Sequence, residues 1–95
     1  MNTWEKIRHL IGREMETSDR KKKFKIDAVG TDFLVVSTED NNPHPLRRTE
    51  IERAVEMQQT ISNFARSHLV EGFPGNRTTS YMLAICLELA KQTVR

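Results

Sequence analysis

Lys21-Lys22-Lys23-Phe24-Lys25-Ile26-Asp27-Ala28-Val29-Gly30-Thr31-Asp32-Phe33-Leu34-Val35-Val36-Ser37-Thr38 is the stretch on which the fold turns. From Lys21 the apolar residues Phe24, Ile26 and Ala28 alternate with Lys23, Lys25 and Asp27, the period of two that describes a strand with one buried and one solvated face. Gly30 supplies a turn. The run Asp32–Thr38 is apolar on both alternating sets and rich in β-branched residues, as a more central strand requires. Together the two runs predict a hairpin.

Downstream, Glu39-Asp40-Asn41-Asn42-Pro43 reads as a polar turn, and His44-Pro45-Leu46-Arg47 offers a short third strand that its prolines restrict to an edge. Two strands alone are marginal, which favours a third. Thr49 stands three residues before Glu52, the reciprocal spacing of a capping box, and opens a helix. Its apolar positions Ile51, Ala54, Met57, Ile61 and Phe64 step by three and four, predicting a helix that reaches Arg66 or His68. Gly72-Phe73-Pro74-Gly75-Asn76 breaks the pattern. Thr78 or Thr79 then caps a last helix through Thr93. In it Met82–Leu87, Leu89 and Ala90 cover most of the circumference and Glu88, Lys91, Gln92 and Arg95 share a narrow polar arc.

Upstream, Thr3 caps a helix with Trp4, Ile7, Leu10 and Ile11 along one side. Gly12 ends that helix, or the helix runs on to Glu16, since Met15 continues the spacing. The expectation is a single α+β domain: a small antiparallel sheet, hairpin plus short third strand, packed by three helices in the order α-β-β-(β)-α-α.

Ninety-five residues hold one core, and a core this small is used economically or extended by self-association. The apolar share of 37% and charged share of 29% lie short of the signature of disorder. The only cysteine, Cys86, has no partner for an internal disulfide, which points to a reducing compartment and so to the cytoplasm. The first residues carry no secretory signal, and no apolar run approaches the ~18 residues that span a bilayer. Asn76-Arg77-Thr78 matches a glycosylation sequon, which has meaning only in a secreted chain.

No residue pattern nominates a catalyst or a metal. His9, His44 and His68 lack second ligands at metal-binding spacing, and a closed zinc site needs three or four soft or borderline ligands where the chain has one cysteine. Cys86 sits within Leu83-Ala84-Ile85-Cys86-Leu87, an apolar setting that opposes thiolate formation. Gly72-Phe73-Pro74-Gly75 lacks the lysine of a phosphate-binding loop, and its proline removes a donor. Glu39-Asp40 and Glu50 with Glu52 stand in a turn and a helix start, where carboxylates have local reasons to be. No cofactor, metal or membrane is called for.

The informative surface is basic, although fifteen basic against thirteen acidic residues leave a formal charge of only +2. Lys21, Lys23 and Lys25 project from one face of the first strand, with Lys22 between them and Arg20 before. Arg47, Arg48 and Arg53 extend that positive surface if the strand order brings them near. One reading is contact with nucleic-acid phosphates through Lys21, Lys22, Lys23, Lys25, Arg47 and Arg48. The other is an edge strand guarded by lysines against aggregation. Trp4 either anchors a partner or closes one end of the core.

Two segments, Leu46-Arg47-Arg48-Thr49-Glu50-Ile51-Glu52-Arg53-Ala54 and Thr79-Ser80-Tyr81-Met82-Leu83-Ala84-Ile85, resemble a small accessory module of bacterial restriction-type and mobile-element proteins. In that module a β-hairpin leads into a helix, and a later helix carries a Ser-Tyr-containing apolar motif. The resemblance implies a recognition role rather than a nuclease, with Arg47, Arg48, Ser80 and Tyr81 at the matching positions. The functional expectation is therefore a small non-enzymatic binding or accessory protein whose partner is nucleic acid. The alternative is a protein-interaction or homo-oligomeric module, and an enzyme or small-ligand protein with a pocket built from distant residues stands third.

Overall fold

The computed structural model describes residues 3–17, 21–39, 42–75 and 78–93. The elements are α1 (Thr3–Arg8), β1 (Glu14–Glu16), β2 (Lys23–Val29), β3 (Phe33–Thr38), β4 (Pro43–Arg47), α2 (Arg48–Thr60), α3 (Arg66–Gly72) and α4 (Thr79–Thr93). The class is α+β, as the sequence predicts, with one more strand and one more helix. All strands pair antiparallel in the order β1-β2-β3-β4.

Met15, Phe24, Ile26, Leu34, Val36 and Leu46 are buried on one side of the sheet. They pack with Trp4, Ile7 and Leu10 at the N-terminus, Ile51, Ala54 and Val55 of α2, Leu69 of α3 and Tyr81–Cys86 of α4. The helices cover one face and leave the other open. Near-continuous burial from Tyr81 to Cys86 makes α4 the central helix. Leu87 departs from expectation, being 37% exposed beside half-buried Glu88, whose carboxylate pairs with Arg13 at 2.8 Å. Lys91 is exposed as foreseen; the side chain of Gln92, and Arg95, lie outside the description.

The chain departs from its predicted elements where the backbone conformation overrides side-chain spacing. α1 stops at Arg8, and Gly12, at φ +84°, turns the chain into β1 while its N–H donates to the Ile26 carbonyl at 3.0 Å. Met15 therefore reaches the core from a strand, not from an extended helix. β1 pairs Glu14 with Lys25 and Glu16 with Lys23. Between Ile26 and Ala28 the β2–β3 register shifts, so Ala28 stands opposite Val35, on the open side, and is exposed. Val29 takes the inward place that alternation assigned to Ala28, packing against the core.

The capping box expected at Thr49 and Glu52 does not form. β4 runs directly into α2, Arg47 holds an extended conformation at the cap position, and no side chain caps it. The Arg48 N–H is instead taken by the Asp32 carbonyl at 2.7 Å, and Glu52 is drawn to the Arg48 guanidinium at 3.3 Å. α2 also ends earlier than its apolar spacing predicts, at Thr60. Asn63 enters the left-handed region at φ 56°, and α3 starts afresh, with the Ala65 N–H donating to His68 Nδ1 at 3.0 Å. His68 thus belongs to the first turn of a new helix, where it stacks on Phe64. His44, placed by the sequence in a short third strand, lies in β4 and stacks on Tyr81, which meets Phe24 edge to face.

Candidate interaction surface

The open face of the sheet follows from the two-residue period and the register. Neighbouring β1, β2, β3 and β4 contribute, level by level, Glu16 and Lys23, then Glu14, Lys25, Ser37 and Pro43, then Val35 and Pro45, then Phe33 and Arg47. Asp27 joins them at the bulge, its carboxylate accepting the Ser37 hydroxyl at 2.9 Å. The β1–β2 half of the face is therefore charged in both signs. The β3–β4 half is mainly apolar, with Phe33 51% exposed, half-buried Val35 and exposed Pro43 and Pro45 alongside Ser37 and, at its end, exposed Arg47.

The basic residues do not form one patch. Lys23 and Lys25 are exposed on β2, but Glu14 and Glu16 stand directly opposite them on β1, and Lys23 Nζ lies 3.9 Å from Glu14 Oε1. Lys21 and Lys22 are exposed in the β1–β2 turn, whose backbone is closed by Thr17: its N–H donates to the Lys22 carbonyl, and its hydroxyl accepts the Lys22 N–H, each at 2.9 Å. Arg20 lies outside the described residues. Arg47 pairs with Phe33, whereas Lys25 pairs with Ser37. Four residues along the strand and two strands across separate them by about 16 Å, some twice the ~8 Å screening length at physiological salt. β2 is moreover an interior strand, so its lysines guard no edge.

Arg48 has a structural position. Its guanidinium lies 5.4 Å from the Trp4 ring centroid, donates to the Thr31 carbonyl at 3.2 Å and pairs with Glu52. Trp4 is buried, and its Nε1–H donates to the Gly30 carbonyl at 2.8 Å, which Arg8 also reaches at 3.3 Å. Side chains from α1 and α2 thus clamp the β2–β3 turn and fix the end of the sheet from which Phe33 projects. Arg53 lies over the Phe73 ring on the helical side.

Beside Phe33 opens a cleft of 610 Å³ lined by Asp32, Phe33, Pro45, Arg47, Arg48, Thr49, Glu50 and Thr78. It lies where β3 begins, β4 ends and α2 starts, which no sequence segment announces. A smaller hollow of 240 Å³ lies at the charged corner, among Glu14, Lys23, Lys25, Ser37 and Glu39. Comparisons with protein-family models, curated proteins and solved structures return no match. The resemblance of residues 46–54 and 79–85 to the accessory module thus rests on those residues alone.

Both sheet edges resist strand addition. β1 has three residues. In β4, Pro43 and Pro45 fall in the same alternating set and have no N–H, so the arrangement that keeps the ladder to β3 complete leaves the outer edge without those donors. The sheet therefore offers its open face, rather than its edges, for contact.

Elsewhere the chemistry is quiet. Cys86 is fully buried, and desolvation pushes its thiol up to about 12, so it stays protonated at neutral pH. No group of three His, Cys, Asp or Glu able to hold a metal ion occurs among the described residues. No described helix is long and apolar enough to cross a membrane.

Proposed function

We propose that the chain is a non-catalytic protein-interaction module whose working surface is the β3–β4 half of the open sheet face with the adjoining cleft. The observation that carries this reading is Phe33, half exposed on the same face as Val35 and Pro45, at a 610 Å³ cleft that Phe33 and Pro45 help to line. A large exposed aromatic set among smaller apolar residues on an open face, bordered by charge, is what a buried interface centre and its polar rim require. The cleft has room for a side chain of a partner, and the Trp4–Arg48–Gly30 clamp keeps the surface in one shape before binding, which lowers the ordering cost of association.

Nucleic-acid binding has less behind it. A phosphate-contacting surface needs uncompensated positive charge along one track. Here the β2 lysines alternate with Glu14, Glu16 and Asp27, Arg48 is engaged with Trp4 and Glu52, and Arg47 stands at the other end of the sheet. The retained candidates for that reading are Lys21 and Lys22 in the β1–β2 turn.

The test is site-directed photo-crosslinking in extracts of the native host, with a photoreactive phenylalanine at position 33 or at position 23. Protein adducts from position 33 and none from position 23 are expected. Nucleic-acid adducts from position 23, with nothing from position 33, would overturn the proposal.

A further inference from the structure

The apolar half of the sheet face has three properties that together specify its occupant. First, it places a projecting group beside a recess: Phe33 stands 51% exposed at the lip of the 610 Å³ cleft that it helps to line. Second, the cleft carries both signs of charge, with exposed Arg47 and exposed Asp32 among its lining residues. Third, the surface is the uncovered face of an antiparallel sheet, which can stack on another sheet at about 10 Å.

A partner of a single strong charge would be met by a surface of the opposite charge, which this is not. A two-fold related copy, by contrast, brings knob to recess and cation to anion twice over, because in such an interface whatever residue i meets as j, j meets as i. On that ground, and resting on the interaction-module reading above, we infer that the occupant is a second copy of this chain, docked face to face about a two-fold axis. Phe33 of each copy enters the cleft of the other, and Arg47 of each pairs with Asp32 of its mate. The charged β1–β2 halves then remain at the rim in solvent.

The knob and its recess lie on the same patch, so the contact closes as a pair and does not propagate into a fibre. Its size sets its strength. The docked β3–β4 half, two strands at ~4.8 Å by about six residues at ~3.3 Å, measures about 10 by 20 Å, well below the ~800 Å² per partner of a standard stable complex. The pair is accordingly a concentration-dependent equilibrium and not a permanent dimer.

The test is sedimentation equilibrium of the full chain over a concentration series. Variants are Phe33→Glu, Arg47→Asp, Asp32→Arg, and an equimolar mixture of the last two, with far-ultraviolet circular dichroism as the control for folding. The wild type is expected to move reversibly from monomer to dimer, and Phe33→Glu to remain monomeric. Each charge reversal alone is expected to weaken association at least tenfold, because it sets like charges against each other at both symmetric contacts. The mixture is expected to recover dimerisation, since the aspartate introduced at position 47 of one chain then faces the arginine introduced at position 32 of the other, and the native pair is retained at the second contact. Misfolded variants could not produce that recovery. Wild-type protein that stays monomeric, association untouched by Phe33→Glu, or a mixture no better than its components overturns the inference. Monomeric protein that still yields adducts with another protein from position 33 removes the second copy and leaves the interaction module standing, whereas absence of both removes both.

Discussion

Replacing Trp4 by phenylalanine perturbs the clamp that fixes the Phe33 end of the sheet. The indole is 2% exposed, donates to the Gly30 carbonyl at 2.8 Å and lies 5.4 Å below the Arg48 guanidinium. Phenylalanine retains a ring for the cation but removes the donor and leaves a gap the size of the missing pyrrole. The lost hydrogen bond costs about 1 kcal/mol and the imperfectly filled gap about another. The expected loss is thus about 2 kcal/mol, which for a domain of this size lowers Tm by roughly 8–16 °C. Arg48→Met tests the other half, removing the cation while keeping an apolar stem. In a cycle of Trp4→Leu with Arg48→Met, where the ring itself is removed, the double variant should be less destabilised than the sum by about 0.5–1 kcal/mol, the coupling of a partly desolvated cation and ring. Urea unfolding followed by circular dichroism reads every variant beside the wild type. Additive effects, or a Trp4→Phe loss below ~0.5 kcal/mol, would refute the clamp.

Two further outcomes follow from the same physics. With its thiol pushed up to about 12 from an ordinary 9.0, Cys86 holds its proton in the folded chain at pH values where the unfolded chain releases it. The folded state then binds more protons, so this contribution to stability is complete below pH 9.0 and declines as pH rises towards 12, by up to ~1.4 kcal/mol per unit. Between those limits unfolding curves of wild type should fall more steeply with pH than those of Cys86→Ala; parallel slopes would contradict the burial of the thiol. Restoring donors to the β4 edge with Pro43→Thr and Pro45→Thr should promote irreversible strand-to-strand association on prolonged incubation, measured by light scattering, while the wild type remains in reversible exchange. A double variant as soluble as the parent would show that the edge is guarded by something other than its prolines.

The class was legible because its signals are local. Alternation through Phe24 and Ile26, the β-branched run of β3 and the apolar girdle of α4 each act over a few residues, and the structure keeps them. What escaped was non-local. β1 has only three residues, too few for alternation to register, and Met15 matched the helical spacing by coincidence. Ile61 and Phe64 likewise continued the spacing of α2 across a break made by a left-handed Asn63; the Ser62-Asn63 pair was the available signal.

These omissions decided how the candidate site was read. Without β1, Lys23 and Lys25 form an uncompensated stripe; with it, Glu14 and Glu16 stand beside them. Arg48 read as a surface cation because nothing in its neighbourhood announces Trp4, forty-four positions earlier, as its partner. Phe33 carried no distinguishing signal, for the β3 run is apolar on both sets and periodicity alone cannot tell which face the helices leave bare.

The most direct measurement is a two-dimensional amide NMR spectrum recorded first across a dilution series and then with a short DNA duplex at low salt. The account predicts that dilution moves the resonances of Phe33, Leu34, Val35, Leu46, Arg47 and Arg48, and that the duplex leaves Lys21, Lys22, Lys23 and Lys25 in place. Spectra unchanged by dilution, with saturable shifts at those lysines on adding the duplex, would contradict it and return the lysine stripe to the centre of the protein's function.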